Sequence, residues 1–447
     1  MSKPSKYGKL ETRCKLKGKN VQDTVCCGCS VVCDDAAVSV KKTTLQSLGL
    51  CRLGHEYCNS IFSTTRLTSP LQAISNGKHK TITLQNALEH SARLLRESKR
   101  PLFLGWSNST MEAIQAGLNL AQRVNAVFDS TASFEYGSLL EAGLHGGEEG
   151  KMNLDKVRDF ADHIVYWGVN PAESHHRHAS RYTVFPKGKE TPEGRESRVV
   201  SVVDVRETES MRLANHQLIL SLNNGDVEFL QLLIEELEGT RKKLPTTVGG
   251  VPAIEFLSFA KQLREAETVA LFYGNGLVHS THSSQSLPLI SKLSTLLNHK
   301  QQQCWTLPMV AYCNSIGAVK ACRQATTYPF SVDFSSNPAK TVDSIQQSIM
   351  SSNFDCALIA GWDALSFLPG PIANALSKLP LITFSTHSTL TTQKSTIVLP
   401  TALTGAETPG TVYRMDGTAV PLKPFKKSQK GIYSEEELLN RLLTKLG

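Results

Sequence analysis

The chain has 447 residues, 40% hydrophobic and 20% charged, with a net charge of +8 and 11 cysteines. That length suits about three folded units or one interleaved α/β body, either able to bury a core without disulfides. The composition excludes intrinsic disorder, collagen and coiled coil. No apolar run approaches the roughly 18 residues of a membrane span, and none follows the basic start as a secretory leader would. A cytoplasmic chain with reduced cysteines is expected.

Residues 1–20 form a basic tail. Lys3, Lys6, Lys9, Arg13, Lys15, Lys17 and Lys19 stand against the single anion Glu11, and supply most of the net charge. Only Tyr7 interleaves with them, which is no stacking platform for bases. A solvated tail is expected, a protein contact second, and no nucleic-acid or membrane partner. A second basic knot holds Lys423, Lys426, Lys427 and Lys430.

Residues 21–65 read as a small cysteine-rich domain. Six cysteines fall between Cys26 and Cys58, and Cys26, Cys29, Cys33 and Cys51 are spaced Cys-x2-Cys-x3-Cys-x17-Cys. The short gaps let one loop present three thiolates to a metal centre, and the distant fourth closes the shell. Four thiolates suit a [4Fe–4S] cluster or a structural zinc. Cys304, Cys313, Cys322 and Cys356 lie scattered among apolar residues and read as ordinary buried thiols.

Beyond residue 65 the pattern becomes strand, turn, helix. Residues 101–124 predict an apolar strand, a turn at Ser107–Ser109 and a helix with Ile114, Leu118 and Ala121 on one face. Apolar runs recur at 163–171, 198–208, 268–276 and 354–364, each ending in a turn residue or Asp. Such alternation predicts parallel sheets covered on both faces. Residues 66–215 and 216–395 are read as two α/β domains. Residues 396–447 are read as a β-rich C-terminal segment, ending in a helix over 435–446 capped by Ser434 and Glu437.

Ligands of such sheets bind where loops leave the carboxyl ends of the strands. Trp167, Gly168 and Asn170 end one predicted strand, Asp204 another, with Arg206 just beyond it, and Gly274 and Gly276 a third. Taken singly, each is a turn that needs Gly or Asn; together they suggest a pocket for a large phosphorylated cofactor. His175 and His178, three apart, are candidates for metal ligation or for a phosphate- or pterin-facing loop.

Cysteine block, sheet pattern and tail together resemble the molybdopterin oxidoreductases. More closely they resemble the B subunit of formylmethanofuran dehydrogenase and its bacterial counterpart, the B subunit of the formyltransferase/hydrolase complex. The segments that carry the resemblance are CCGCSVVCDD (26–35), CRLG (51–54), GWSNSTMEAIQAGLNLA (105–121), VYWGVNPAESHHRHASRYTVFPKG (165–188), VVDVRETES (202–210) and GTVYRMDG (410–417). The fold implied is α/β, with interleaved, doubly wound parallel-sheet domains of the molybdopterin oxidoreductase type. The catalytic version reduces carbon dioxide or oxidises formate at a tungsten or molybdenum ion held by pterins. There a cysteine ligates the metal and the following histidine handles the proton. In this chain the resemblance places Glu135 and Tyr136 at those two positions, with Asp129, Thr131, Ser133 and Gly137 keeping the register.

The resemblance therefore implies that the four cysteines hold a [4Fe–4S] cluster or zinc, or stay empty, and that molybdopterin or tungstopterin is lost. The pterin-facing residues would be Trp167, Gly168, Asn170, Asp204, Arg206, Gly274 and Gly276 only if the cofactor were kept. The implied role is a non-redox structural subunit whose partners are the hydrolase, formyltransferase and other subunits of the complex. The alternative is a catalytic B subunit with Glu135 on the metal.

Overall fold

The structure, a computed structural model, describes residues 21–74, 77–137, 152–298 and 302–447. The basic tail at 1–20 lies outside the described residues. Val21–Thr24 (β1), Ala36–Lys41 (β2) and Thr44–Leu48 (β3) pair as an antiparallel sheet. Val38 and Leu45 turn inward from it against Cys58 and Ile61. Helix α1 (Arg52–Asn59) follows, with Cys51 at its N-cap.

Then come helix α2 (Leu84–Glu97), strand β4 (Pro101–Gly105), helix α3 (Met111–Arg123) and strands β5 (Val127–Ser130), β6 (His163–Trp167), β7 (Val199–Asp204) and β8 (His216–Ile219). The chain continues through helix α4 (Gly225–Glu238), strands β9 (Thr268–Tyr273) and β10 (Gln303–Pro308), and helix α5 (Ser315–Thr326). Strands β11 (Cys356–Ala360), β12 (Leu381–Ser385) and β13 (Ile397–Pro400) and the terminal helix α6 (Glu435–Leu446) complete it. Strands β4, β5, β6, β9, β11 and β13 are buried at every position, as strands of a doubly covered parallel sheet should be, the polar Asp129 and Ser130 of β5 included. Among the described residues no helix is long and apolar enough to cross a membrane.

The chain divides into two units. The first comprises residues up to Ser133 with Tyr312–Arg414 and Ala419–Gly447; the second is Phe134–Ala311 with Met415–Thr418. Both units are discontinuous in sequence. The reason is strand pairing: early β4 lies beside late β11, so residues far apart in sequence share one sheet.

In the first unit nine strands run in the order Lys340–Thr341, Val332–Asp333, β5, β4, β11, β12, β13, Leu71–Ala73, His79–Thr81. The central five are parallel and the outer pairs antiparallel. Phe103, Ile114, Phe128, Leu358, Ile382 and Leu399 share a core with Leu438, Leu439 and Leu442 of α6. Gly105, at φ +108°, ends β4 where a Cβ would come within 2.2 Å of the Ala360 carbonyl oxygen, so only glycine fits. In the second unit five parallel strands run β8-β7-β6-β9-β10. The chain winds outward through β7 and β8, then returns to the other side of β6. That reversal makes a topological switch point between β6 and β9; in the first unit the same reversal falls between β4 and β11.

Candidate functional site

The cysteine loop belongs to the first unit. The Cys26 amide donates to the Cys33 carbonyl at 2.9 Å and the Val32 amide to the Cys29 carbonyl at 3.2 Å, folding Cys26, Cys29 and Cys33 onto one turn. The Gly28 amide donates to Cys26 Sγ at 3.4 Å, and the Gly54 amide to Cys51 Sγ at 3.5 Å. A Cβ on Gly54 would stand 2.7 Å from Cys26 Sγ, so the helix that starts at Cys51 lies directly against the Cys26 thiol. Cys26 and Cys33 are buried, Cys29 and Cys51 half-buried. Burial, then the neighbouring Cys33, pushes the Cys29 thiol up to about 12. Among the described residues, no three His, Cys, Asp or Glu side chains gather closely enough to hold one metal ion. Cys304, Cys313, Cys322 and Cys356 are all buried, as expected.

The seven residues proposed around a phosphorylated cofactor fall at the carboxyl ends of β6, β7 and β9 in the second unit. Gly168 takes φ +60°. Its carbonyl accepts the Gly276 amide at 2.9 Å, while the Gly274 amide donates to the Trp167 carbonyl at 3.3 Å. A Cβ on Gly276 would sit 2.7 Å from Gly168 Cα, so the two glycine turns clasp each other. Trp167 Nε1 donates to Asp226 Oδ1 at 2.7 Å. Asn170 Nδ2 donates to Glu209 Oε2 at 2.9 Å, and its Oδ1 accepts the Ser210 hydroxyl at 2.6 Å. Asp204 is half-buried, accepts the Val205 amide at 2.8 Å and has its carboxyl raised by burial. Arg206 is exposed beside it. Asp226, raised by burial and by the Asp204 charge, joins this group unanticipated. It lies in the first turn of α4, where an acid reads only as helix-start chemistry.

The histidine cluster needs correction. The helix Pro171–Ser174 stops before His175, so His175 and His178 do not share a helical face. His175 Nε2 pairs with the Val310 carbonyl at 3.0 Å, and His178 Nδ1 with the Tyr166 hydroxyl at 3.0 Å. The His178 ring stands edge-on to Phe272 with centroids 4.5 Å apart. Both rings are buried, and burial lowers both below the ordinary histidine range. They are neutral core histidines.

At the switch point of the first unit, Asn108 Nδ2 donates to the Gly361 carbonyl at 3.0 Å, joining the turns after β4 and β11. Asn314 braces the first turn: its amide donates to Ser107 O at 2.8 Å, its Nδ2 to Ser109 O at 2.7 Å, and its Oδ1 accepts the Tyr413 amide at 2.7 Å. Buried Glu435 brings a carboxylate oxygen to 3.3 Å from where a Gly361 Cβ would stand, and burial pushes its carboxyl up to about 7. No local pattern announces Asn314 or Glu435, because their partners lie on distant segments of the chain. Asp129, at the end of β5, accepts the Ser133 hydroxyl at 2.5 Å and the Ser331 amide at 3.0 Å; burial pushes it up to about 7. Glu135 and Tyr136 follow on the short helix Ala132–Glu135 and just beyond it, and both are 2% exposed.

No family model matches the chain. It is 32% identical over 436 residues to the B subunit of the tungsten-containing formylmethanofuran dehydrogenase 2 of Methanocaldococcus jannaschii, covering 96% of this chain and 99% of that protein. The chain belongs to the family of formylmethanofuran dehydrogenase B subunits. The same-named protein of Methanococcus maripaludis is 31% identical, over 95% of this family member and 98% of its own length. Among solved structures, a chain of the formyltransferase/hydrolase complex from Methylorubrum extorquens, in complex with methylofuran, superposes with a TM-score of 0.62. The two are 17% identical, over 82% of this chain and 96% of that one. Acetylene hydratase from Pelobacter acetylenicus superposes at 0.66 with 12% identity, over 95% of this chain and 69% of that one. Both share the mixed α/β fold with parallel sheets.

Proposed function

We propose that this family member is a non-redox B subunit of a cytoplasmic formyltransferase/hydrolase complex. The setting would be tetrahydromethanopterin-linked one-carbon metabolism, between formaldehyde and formate. Formyl transfer and hydrolysis belong to partner subunits, and this chain holds them together. The reading rests on the resemblance, which places Glu135 and Tyr136 where the catalytic version has its metal-ligating cysteine and its proton-handling histidine. A thiolate is a soft, strongly donating ligand for tungsten or molybdenum; a carboxylate is hard and less electron-rich. An imidazole titrates near neutrality, whereas a phenol of pKa about 10 shuttles protons poorly. When bound, a tungsten or molybdenum pterin supplies two-electron redox chemistry at carbon.

The turns after β6 and β9 support the same reading. The Gly274 and Gly276 amides and the Trp167, Asn170 and Asp204 side chains all bond within the protein, and Arg206 is the exposed member of the set. The cysteine loop suits a [4Fe–4S] cluster better than zinc. Three thiolates presented by one short loop, with a distant fourth, make the all-sulfur donor set that such a cluster takes. Cys26, Cys29, Cys33 and Cys51 would hold it, with the Gly28 and Gly54 amides offsetting thiolate charge.

A second reading, the catalytic subunit with Glu135 as metal ligand, is favoured by the names of the two curated relatives, both tungsten-containing. Elemental analysis of protein purified anaerobically with its partners separates the two. The first reading expects about four iron atoms per chain with tungsten and molybdenum at background. Stoichiometric tungsten or molybdenum overturns it.

A further inference from the structure

A cleft of about 490 Å³ opens in the first unit where α2 meets the strand Leu71–Ala73 and the end of α6. That size suits a small-molecule ligand, and none of the cysteine or strand-end residues described above lines it. Three cations line it, Arg93, Arg96 and Lys445, against one anion, Glu89. Helix α2 places Asn86, His90 and Arg93 four and then three residues apart, on one face. Arg96 Nη2 donates to the Lys445 carbonyl at 3.1 Å. Lys445 Nζ lies 3.3 Å from Glu89 Oε1, which also accepts Gln85 Nε2 at 3.0 Å. These bonds join α2 to α6 and match the Glu89 charge, so the cleft keeps an excess of positive charge, with Arg93 and Arg96 both exposed. Burial, and then the Arg93 charge, hold the His90 imidazole below the ordinary histidine range, with Glu97 opposing. Lys80, exposed and paired opposite Gln72 on the neighbouring strand, adds a further cation at the rim.

We propose that this cleft binds a small phosphate monoester. The guanidinium forks of Arg93 and Arg96 offer paired N–H donors to phosphate oxygens, and a dianion balances the cationic excess. An anion seated there also relieves the repulsion that Arg93 exerts on His90. The volume exceeds what a phosphate group fills. The Gln72 and Asn86 amides line the rest, where they hydrogen-bond hydroxyls of the ligand's carbon body. The site works alike whether or not the cysteines hold a metal centre, since it shares no residue with them.

Isothermal titration calorimetry on the full chain at low ionic strength tests it, with glycerol 3-phosphate as the probe. Binding is expected, and Arg93→Ala and Arg96→Ala should each weaken it about tenfold or more. Lys378→Ala, which removes an exposed cation outside the cleft, should leave it unchanged. Inorganic phosphate, without a carbon body, should bind more weakly. No binding by the wild type, equal weakening by Lys378→Ala, equal affinity for inorganic phosphate, or a preference for a hexaglutamate peptide overturns the proposal. Should an arginine variant fold poorly, modification of the wild type by phenylglyoxal decides. Glycerol 3-phosphate should protect Arg93 and Arg96, mapped by mass spectrometry, and leave the exposed Arg52 reactive; protection of neither arginine overturns the proposal.

Discussion

Arg198 is a buried cation held by carbonyls rather than carboxylates. Its Nε donates to Ala161 O at 3.2 Å, Nη1 to Pro186 O at 2.6 Å, and Nη2 to Arg158 O and Thr191 Oγ1, each at 2.6 Å. The planar fork joins four points of the second unit's backbone and side chains that a lysine ammonium cannot reach together. Arg198→Lys should lower stability by about 2–4 kcal/mol, read as a lower urea midpoint with an unchanged slope; an unchanged midpoint would mean the fork is dispensable. Nothing in the RVVSVVD stretch marks Arg198 out, since a cation before a strand is ordinary. The turn that carries Cys26, Cys29 and Cys33 was legible because its residues are close in sequence. Asp226 and Asn314 were not, because each acquires its role from a residue on another element.

Among the elements, α6 follows its local signals closely. The Ser434 hydroxyl accepts the Glu437 amide at 3.1 Å, and Glu437 Oε2 accepts the Ser434 amide at 3.0 Å, a complete capping box. Leu438, Leu439 and Leu442 then dock into the core of the first unit. Ser434→Ala should cost about 1 kcal/mol by leaving a helix-start amide without its cap, measured as a lower thermal midpoint with unchanged far-ultraviolet helicity at about 20 °C. Strands β4, β6, β7, β9 and β11 were legible as apolar runs, whereas β5, with Asp129 and Ser130 in its four residues, was not. The His175–His178 spacing misled because helical periodicity presumes a helix. Here the chain leaves α-geometry at His175 and takes a π-turn over Ala179–Thr183.

Across the whole molecule, the carboxyls of Asp129 and Glu435 are both pushed up to about 7 by burial. Their unfolded values are ordinary, near 4. Between about pH 4 and 7 the folded chain therefore keeps protons that the unfolded chain releases. These two groups make stability fall as pH rises through that window and level off above it. Glu435→Gln, which mimics the protonated acid, should lose less of its thermal midpoint between pH 5 and 8 than the wild type. Equal losses would show that Glu435 does not titrate in this range.

By itself the sequence determined the parallel α/β class, the cysteine ligand spacing, the strand-end turns and the capped terminal helix. Each of these rests on interactions within a few residues or on the periodic burial of one element. Tertiary structure alone decided that β4 lies beside β11, which joins distant stretches of the chain in one sheet. It also decided that Gly168 and Gly276 clasp each other and that His178 is a core residue. Those outcomes depend on which distant segments pair, and pairing is settled by burial summed over a whole sheet rather than by any local run of residues.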